Sequence, residues 1–423
     1  MSDLIAQLEK EATPRNPAPF DEGFRPAALW TRAYRRRVAA DKKRRAVRMA
    51  LSRPDGNVFH HRVEILPWSD DTAPATLRYV ERTVKYLLWQ KGASRVMLSG
   101  CPEAAAALAR SYAAGGERAF DAEGMGGRIF GTPFSIGSCR ESELPAAHEP
   151  PMKVGGCWKG CRVGFDLGGS DRKCAAVIDG KVVHSEEVPW SPTTSSDWRY
   201  QLEGIEDSIR RAAAHLPRVD AIGGSAAGVY VNNEVKIASL FRSIPQNDFD
   251  AHVKRMFIES GKHWKAPVVL MNDGDVTALA GSLALEDRPV LGMAFGTSLA
   301  GGYCDPDGSL KPWLNELAFV PIDFRASGAP CDDWSGDYGV GAQYLSQQAV
   351  GRLAVAAGVE FAPDCEGLPE RLAEMQRRLA GGDKVARGIF TSVGMFLGYA
   401  VAQADEFYAL KRFQAMGRVT SGE

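Results

Sequence analysis

Asp166, Gly168, Gly169 and Ser170 lie in the run VGFDLGGSDRK at 163–173, which is followed by a hairpin turning at Asp179-Gly180. A carboxylate, two glycines and a hydroxyl therefore meet at a strand-to-strand turn. Glycines let backbone N–H groups approach an anionic phosphate without Cβ obstruction, Ser170 can donate to a phosphate oxygen, and Asp166 suits Mg²⁺ or its water shell. The chemistry would be nucleotide binding. Gly-Gly turns between strands are also ordinary turn chemistry, so this motif gains weight only from what accompanies it.

Two further segments follow in order. The run VVLMND at 268–273 reads as a buried strand ending in Asn272-Asp273, after which Val276, Leu279, Ala280, Leu283 and Ala284 recur at helical spacing. Asp273 is expected where a strand hands over to a helix, a place where aspartate commonly caps the helix and stays ionised. The run VLGMAFGTSLAGGY at 290–303 reads as another apolar strand, then Gly296-Thr297-Ser298, then Gly301-Gly302 before a strand resumes. A second turn of glycines and hydroxyls suits the other side of a triphosphate.

Through FDLGGS at 165–170, IGGSAAGVYVNN at 222–233, NDGDVTALAG at 272–281, FGTSLAGG at 295–302 and NELAFVPID at 315–323, the chain resembles the ROK family of sugar kinases and repressors, a branch of the actin-like ATPases. The resemblance covers residues 160–423 and keeps the family's order. It implies an α/β protein with a two-lobed actin-like (ribonuclease H-like) fold that closes on a sugar and on ATP with Mg²⁺. Asp273 would be the base that takes the proton from the attacking sugar hydroxyl, and Asn272, Glu316 and Gly228 would meet the sugar. Asp166 would meet Mg²⁺ through ATP, with Gly168, Gly169, Ser170, Gly296, Thr297, Ser298, Gly301 and Gly302 around the phosphates. FQAMGRVTSGE at the end of the chain resembles the strand and turn that meet adenosine, which makes Gly417, Ser421 and Gly422 nucleotide contacts. Elementary chemistry agrees, since phosphoryl transfer asks for positioning, charge neutralisation and one carboxylate near the nucleophilic oxygen.

Departures from the family pattern matter equally. Most of its sugar kinases carry a histidine followed by a cysteine cluster that holds structural zinc, whereas here Phe319 stands at the histidine, Val340 at a cysteine, and CDDWSGDYGVGAQYLS offers only Cys331. No structural zinc is expected, because a closed site needs about four N or S ligands. A sugar-binding glutamate of relatives aligns with Ala342. Asp332, Asp333, Asp337 and Gln343 are replacements able to bond a polyol, or else form a solvated acidic loop.

Bulk properties exclude little. The 423 residues suffice for two or three domains, and 51 Lys plus Arg against 52 Asp plus Glu give no global field that would draw nucleic acid. No basic start precedes an apolar core at the N-terminus, and no apolar run is read as approaching about 18 residues, so a cytoplasmic protein without membrane segments is expected. Homo-oligomerisation is allowed but not specified. Eight cysteines are scattered, Cys157 and Cys161 being closest, and free thiols are expected.

Residues 1–157 are read as an N-terminal α/β extension, 158–270 as a first actin-like lobe and 271–423 as a second lobe that ends short of the family pattern, through truncation or because the extension fills the missing place. The extension begins with a polar arm and the basic run TRAYRRRVAADKKRRAVR at 31–48, whose spacing suggests a solvated helix face. Two strands around Asp55-Gly56, a helix over 76–91 and a strand over 94–100 follow, with no recognition helix for DNA. PDGNVFHHRVEILP at 54–67 resembles IDGKVVHSEEVPW at 178–190, an offset of 124 residues. The extension is thus a candidate third ribonuclease H-like copy, silent because Lys42 falls where Asp166 does, although DG hairpins also arise independently. The favoured activity is ATP-dependent phosphorylation of a sugar or sugar derivative. Alternatives are a non-catalytic sugar or nucleotide sensor, and an ATPase acting on a partner protein.

Overall fold

The computed structural model describes residues 3–152, 157–285, 287–363 and 365–421, and Gly422 lies outside them. The chain divides into two compact units. The lobe unit comprises Met152–Gly292 and Gly301–Leu310, and the composite unit comprises Met1–Pro151, Met293–Ala300 and Lys311–Glu423. The N-terminal extension therefore shares a unit with the last stretch of chain.

The composite unit opens with strands β1 (Arg45–Ser52), β2 (Val58–Ile65), β3 (Arg95–Ser99) and β4 (Ser135–Ser138), arranged β2-β1-β3-β4. β1 and β2 form the hairpin signalled by Asp55-Gly56, with Gly56 at φ 88° as a tight turn requires. β3 runs antiparallel to β1, and β4 parallel to β3.

In the lobe unit β5 (Cys161–Leu167), β6 (Asp171–Ile178) and β7 (Lys181–Pro189) form an antiparallel meander. The helix Trp198–Ala213 then returns the chain so that β8 (Ala221–Ala226) pairs in parallel with β5. After the small hairpin β9 (Val229–Val231) and β10 (Glu234–Ile237), β11 (Val268–Asn272) pairs in parallel with β8. The order β11-β8-β5-β6-β7 is that of a ribonuclease H-like lobe. Along β5 every second residue is buried, which sends Val163, Phe165 and Leu167 into a core with Ile205, Ile222 and Leu270 and leaves Asp166 on the other face.

Shifted by 124 residues, β1, β2, the helix Ala73–Lys91 and β3 match β6, β7, the helix Trp198–Ala213 and β8 in order and to within a few residues in position and length. Among the described residues the composite sheet has no counterpart of β5, so β3 pairs with β1 directly. Finally β12 (Val290–Phe295), β13 (Leu299–Cys304) and β14 (Arg412–Met416) form a sheet in the order β13-β12-β14.

The basic run does not present one solvated face. In the helix Ala27–Ala40, Trp30, Thr31, Ala33, Tyr34 and Val38 are buried, Trp30 packs 5.5 Å from Phe324, and Arg36 and Arg37 pair with Glu11. The polar arm before it is equally engaged: Phe24 lies edge-on to Phe396 at 4.7 Å, and Asp21 receives Arg325 at 2.6 Å and Arg352 at 3.0 Å. By length and composition alone the helix Lys384–Ala404 could cross a membrane, with a mean hydropathy of 1.4 over an 18-residue stretch, a test that a core helix also passes. Ile389, Phe396 and Ala400 on one face of it are buried within the composite unit.

Beneath this packing sits a balanced cluster of buried charges. Asp337 accepts Arg118 at 2.6 Å, Arg82 at 3.0 Å and Lys85 at 3.0 Å, while Lys85 also bonds Asp121 at 2.7 Å and Arg118 bonds Glu81 at 2.6 Å. Burial would raise the Asp337 carboxyl, but the charges of Arg82, Lys85 and Arg118 prevail and hold it far below the usual carboxylate range. Its stabilisation is full above the ordinary value of 3.8 and drains away as pH falls below it. Asp337→Asn should destabilise the fold by about 3–5 kcal/mol, because three cations lose their common counter-charge. Urea unfolding at neutral pH checks this, and a loss under about 1 kcal/mol would show that the cluster is dispensable.

Candidate active site

β5, β8 and β11 run parallel, so their C-terminal ends share one edge of the lobe sheet, the edge at which open α/β sheets bind ligands. Asp166 lies near the end of β5, and Asp273 follows β11 as the first residue of the helix Asp273–Leu285. With β8 between them the two strands stand about 10 Å apart, two inter-strand spacings, which leaves room for a reacting group. Burial first, and the neighbouring Asp166 charge second, push the Asp273 carboxyl up to about 6, against a lowering hydrogen bond from the Gly274 N–H. Tyr230 lies close enough that burial and then the Asp273 charge push its phenol up as well, and its hydroxyl donates to the Ala227 carbonyl at 3.1 Å. Sequence reasoning missed Tyr230, whose only signal was its place after Gly228.

Asp273 is not the helix cap in the ordinary sense. Asn272 Oδ1 accepts the Gly274 N–H at 2.7 Å, while its Nδ2 donates to the Gly228 carbonyl at 2.7 Å. Asn272 and Gly228, both expected at the sugar, are thus bonded to each other, and the Asn272 side chain holds the strand-to-helix junction from which Asp273 projects. Gly168 and Ser170 are fixed by Trp190, whose Nε1 donates to the Gly168 carbonyl at 2.8 Å and whose N–H donates to the Ser170 carbonyl at 3.1 Å. Gly169 and Ser170 remain exposed.

Gly301 and Gly302 are not part of a turn. Both are buried inside β13, where a Cβ on Gly274 would come within 2.2 Å of the Gly301 carbonyl oxygen, so these glycines let the Asp273 helix press on the strand. The second turn is shorter than read: Gly296, Thr297 and Ser298, in the composite unit, where the Gly296 carbonyl accepts the Gln347 N–H at 2.9 Å from the next helix. Gly417 adopts φ 99° beside it, and a Cβ there would lie 2.5 Å from the Phe295 carbonyl oxygen. The structure thus brings Gly417 against Phe295, next to the second turn.

Glu316 belongs to the composite unit, where its N–H and that of Asn315 donate to the Trp89 and Gln90 carbonyls at 3.0 and 2.9 Å. The extension's helix Ala73–Lys91 therefore positions the NEL segment. Phe319, at the family's histidine, packs 4.4 Å from Trp89 and 5.5 Å from Phe120. Of the proposed polyol ligands, Asp337 is consumed by the buried cations, Asp332 by Ser335, and the Gln343 amide donates to Gln348 at 2.7 Å. None of the eight cysteines forms a disulfide, and no group of three or more His, Cys, Asp or Glu is placed to hold a metal among the described residues.

No protein-family model matches the chain, and neither does any curated protein. Among solved structures it is similar to the ROK hexokinase of Thermus thermophilus, with 17% identity and a TM-score of 0.48 over 61% of this chain and 82% of that one. It is similar to a ROK family transcriptional regulator, a homolog of the E. coli MLC protein, with 17% identity and a TM-score of 0.46 over 61% of this chain and 65% of that one. A third is the inorganic polyphosphate/ATP-glucomannokinase of Arthrobacter sp. strain KM, with 16% identity and a TM-score of 0.40 over 61% of this chain and 84% of that one. The structural neighbours are thus ROK sugar kinases and ROK regulators alike.

Because Asp273 binds its proton more tightly when folded than its ordinary 3.8, its contribution to stability is full below that value and is lost as pH rises through about 6. Asp273→Asn, which cannot ionise, should be more stable than the parent by about 1–2 kcal/mol at pH 8, with the difference vanishing near pH 4. Chemical denaturation at the two pH values measures this. An equal difference at both would mean that the carboxyl is not strained by its surroundings.

Proposed function

We propose that the chain phosphorylates a sugar or sugar derivative at the expense of ATP, with Asp273 as general base. The observation that carries this reading is the pairing of Asp273, raised to about 6, with Asp166 at the same sheet edge. A carboxylate with that value is ionised at neutral pH yet basic enough to accept a hydroxyl proton. The repulsion between the two carboxylates is what a hard divalent cation would relieve, so Asp166 fits a Mg²⁺ site. Such an ion neutralises phosphate charge when bound.

Within this chain the steps are few. Asp273 accepts the proton of the acceptor hydroxyl, while Asn272 and Gly228 hold the junction that aims it. The Gly168-Gly169-Ser170 turn, braced by Trp190, offers a hydroxyl and backbone N–H groups to phosphate oxygens. In the composite unit, the family resemblance makes Glu316 a candidate sugar contact and Gly296, Thr297, Ser298 and Gly417 candidate nucleotide contacts. The setting for such a reaction is the cytoplasm, where ATP is abundant.

A second reading, a sugar or nucleotide sensor that does not turn over, is favoured by Ala342, which aligns with a sugar-binding glutamate of relatives. ADP release across a panel of sugars separates the two: sugar-dependent release supports the kinase, sugar-independent release an ATPase, and binding without release the sensor. If the kinase reading is right, Asp273→Ala and Asp273→Asn should each lower turnover by about 10²–10⁴ with ATP binding nearly intact. The parent's turnover should fall as pH drops through about 6, where Asp273 becomes protonated. Normal turnover by the Asn variant would remove the base from the scheme. Asp166→Asn should weaken ATP binding in the presence of Mg²⁺ far more than in its absence, and equal effects in titrations with and without the metal would contradict the role given to Asp166.

A further inference from the structure

Lys173 stands directly opposite Asp166 in the β5–β6 ladder, so both side chains rise from the same face of the sheet beside the Gly168-Gly169-Ser170 turn. Its ammonium is half exposed and reaches Asp171 Oδ1 at 2.6 Å and, more loosely, Glu187 at 3.9 Å. The other oxygen of the same carboxylate, Asp171 Oδ2, accepts the Ser170 hydroxyl at 2.9 Å. One carboxylate thus bridges a hydroxyl donor and an ammonium donor that sit side by side at a glycine turn. A phosphate oxygen pair would make the same two contacts, with more charge to offer. Asp171 is only 13% exposed, and its backbone carbonyl is tied to the Gly168 N–H at 2.9 Å, so it is built into the turn rather than draped over it.

We propose that Ser170 and Lys173 form a phosphate-binding pair for the nucleotide, and that the Asp171 carboxylate occupies this pair as an internal competitor until phosphate displaces it. The inference deepens the nucleotide reading above and rests on it. Charge explains why such a pair is needed: Asp166, Asp171 and Asp273 all contribute negative charge at this end of the lobe unit, and a polyphosphate approaching them gains from a fixed cation on the sheet. Burial works against the Lys173 charge, but its bond to Asp171 and the nearby Asp166 and Glu187 charges outweigh that and keep the ammonium protonated. On displacement Lys173 exchanges one anion for another, so the swap costs little and the net affinity depends on how well Asp171 competes.

That competition yields a test with opposite signs. Binding of ATP with Mg²⁺, and of inorganic tripolyphosphate as a probe without a base, is measured by calorimetric titration for the parent, Lys173→Met and Asp171→Asn, with thermal unfolding as a check that all three are folded. Lys173→Met should weaken both ligands by about tenfold, and Asp171→Asn should tighten both, since Asn has no charge with which to hold the ammonium. If the parent binds ATP and both variants match it within twofold, or both weaken, the pair is structural and the inference fails while the kinase reading stands. If none of the three binds ATP or tripolyphosphate, the nucleotide reading itself falls and takes the inference with it.

Discussion

A buried carboxyl that faces a second carboxylate across one intervening strand resists ionisation, and this constraint shapes the site edge of the lobe unit. Parallel pairing of β5, β8 and β11 fixes Asp166 and Asp273 at one edge, and the Asn272 bonds to Gly228 and Gly274 keep Asp273 from swinging away to relieve the strain. Burial first and the Asp166 charge second push the Asp273 carboxyl up to about 6, so that it is ionised at neutral pH and takes up a proton only a little below it. A structural aspartate would be expected to find a cation or a set of N–H donors. Asp337 does so, and its carboxyl is driven the opposite way.

The contrast between those two aspartates also shows how the loop around Asp337 is held. Asp337 anchors the loop on Arg82, Lys85 and Arg118, and Phe319 inserts among Trp89, Phe120 and Trp334, so ionic and aromatic packing hold it. Every cation in that arrangement and two of the aromatic rings come from the extension. Removing the extension would strip Asp337 of all three cations that bind it. The extension is therefore part of the folding unit of the C-terminal segment, through contacts that also set the backbone of Asn315 and Glu316.

The extension's own architecture reads as a shortened version of the lobe. Hairpin, helix and strand recur in the same order, but without a strand equivalent to β5 the motif-bearing edge is missing.

Much of the lobe was legible from local pattern alone. Period-two burial in β5, the DG hairpins, the strand before Asp273 and the helical spacing after it are properties of short windows, and the structure follows them to within a few residues. The ordered set of glycine and carboxylate motifs likewise pointed to the family's fold without any long-range information. What the sequence could not decide was which polar groups are spent internally. Nothing local tells that Asp337 faces three cations, that Gly301 and Gly302 serve helix packing, or that the Asn272 side chain braces a junction, because each depends on a partner brought close only by the folded chain. The same holds for Asp171, whose carboxylate lies between Ser170 and Lys173 only because β6 returns antiparallel to β5 in one register. Residue type and spacing determined which groups were available for chemistry. Tertiary packing, by supplying or withholding counter-charge and water, decided which of them remain able to do it.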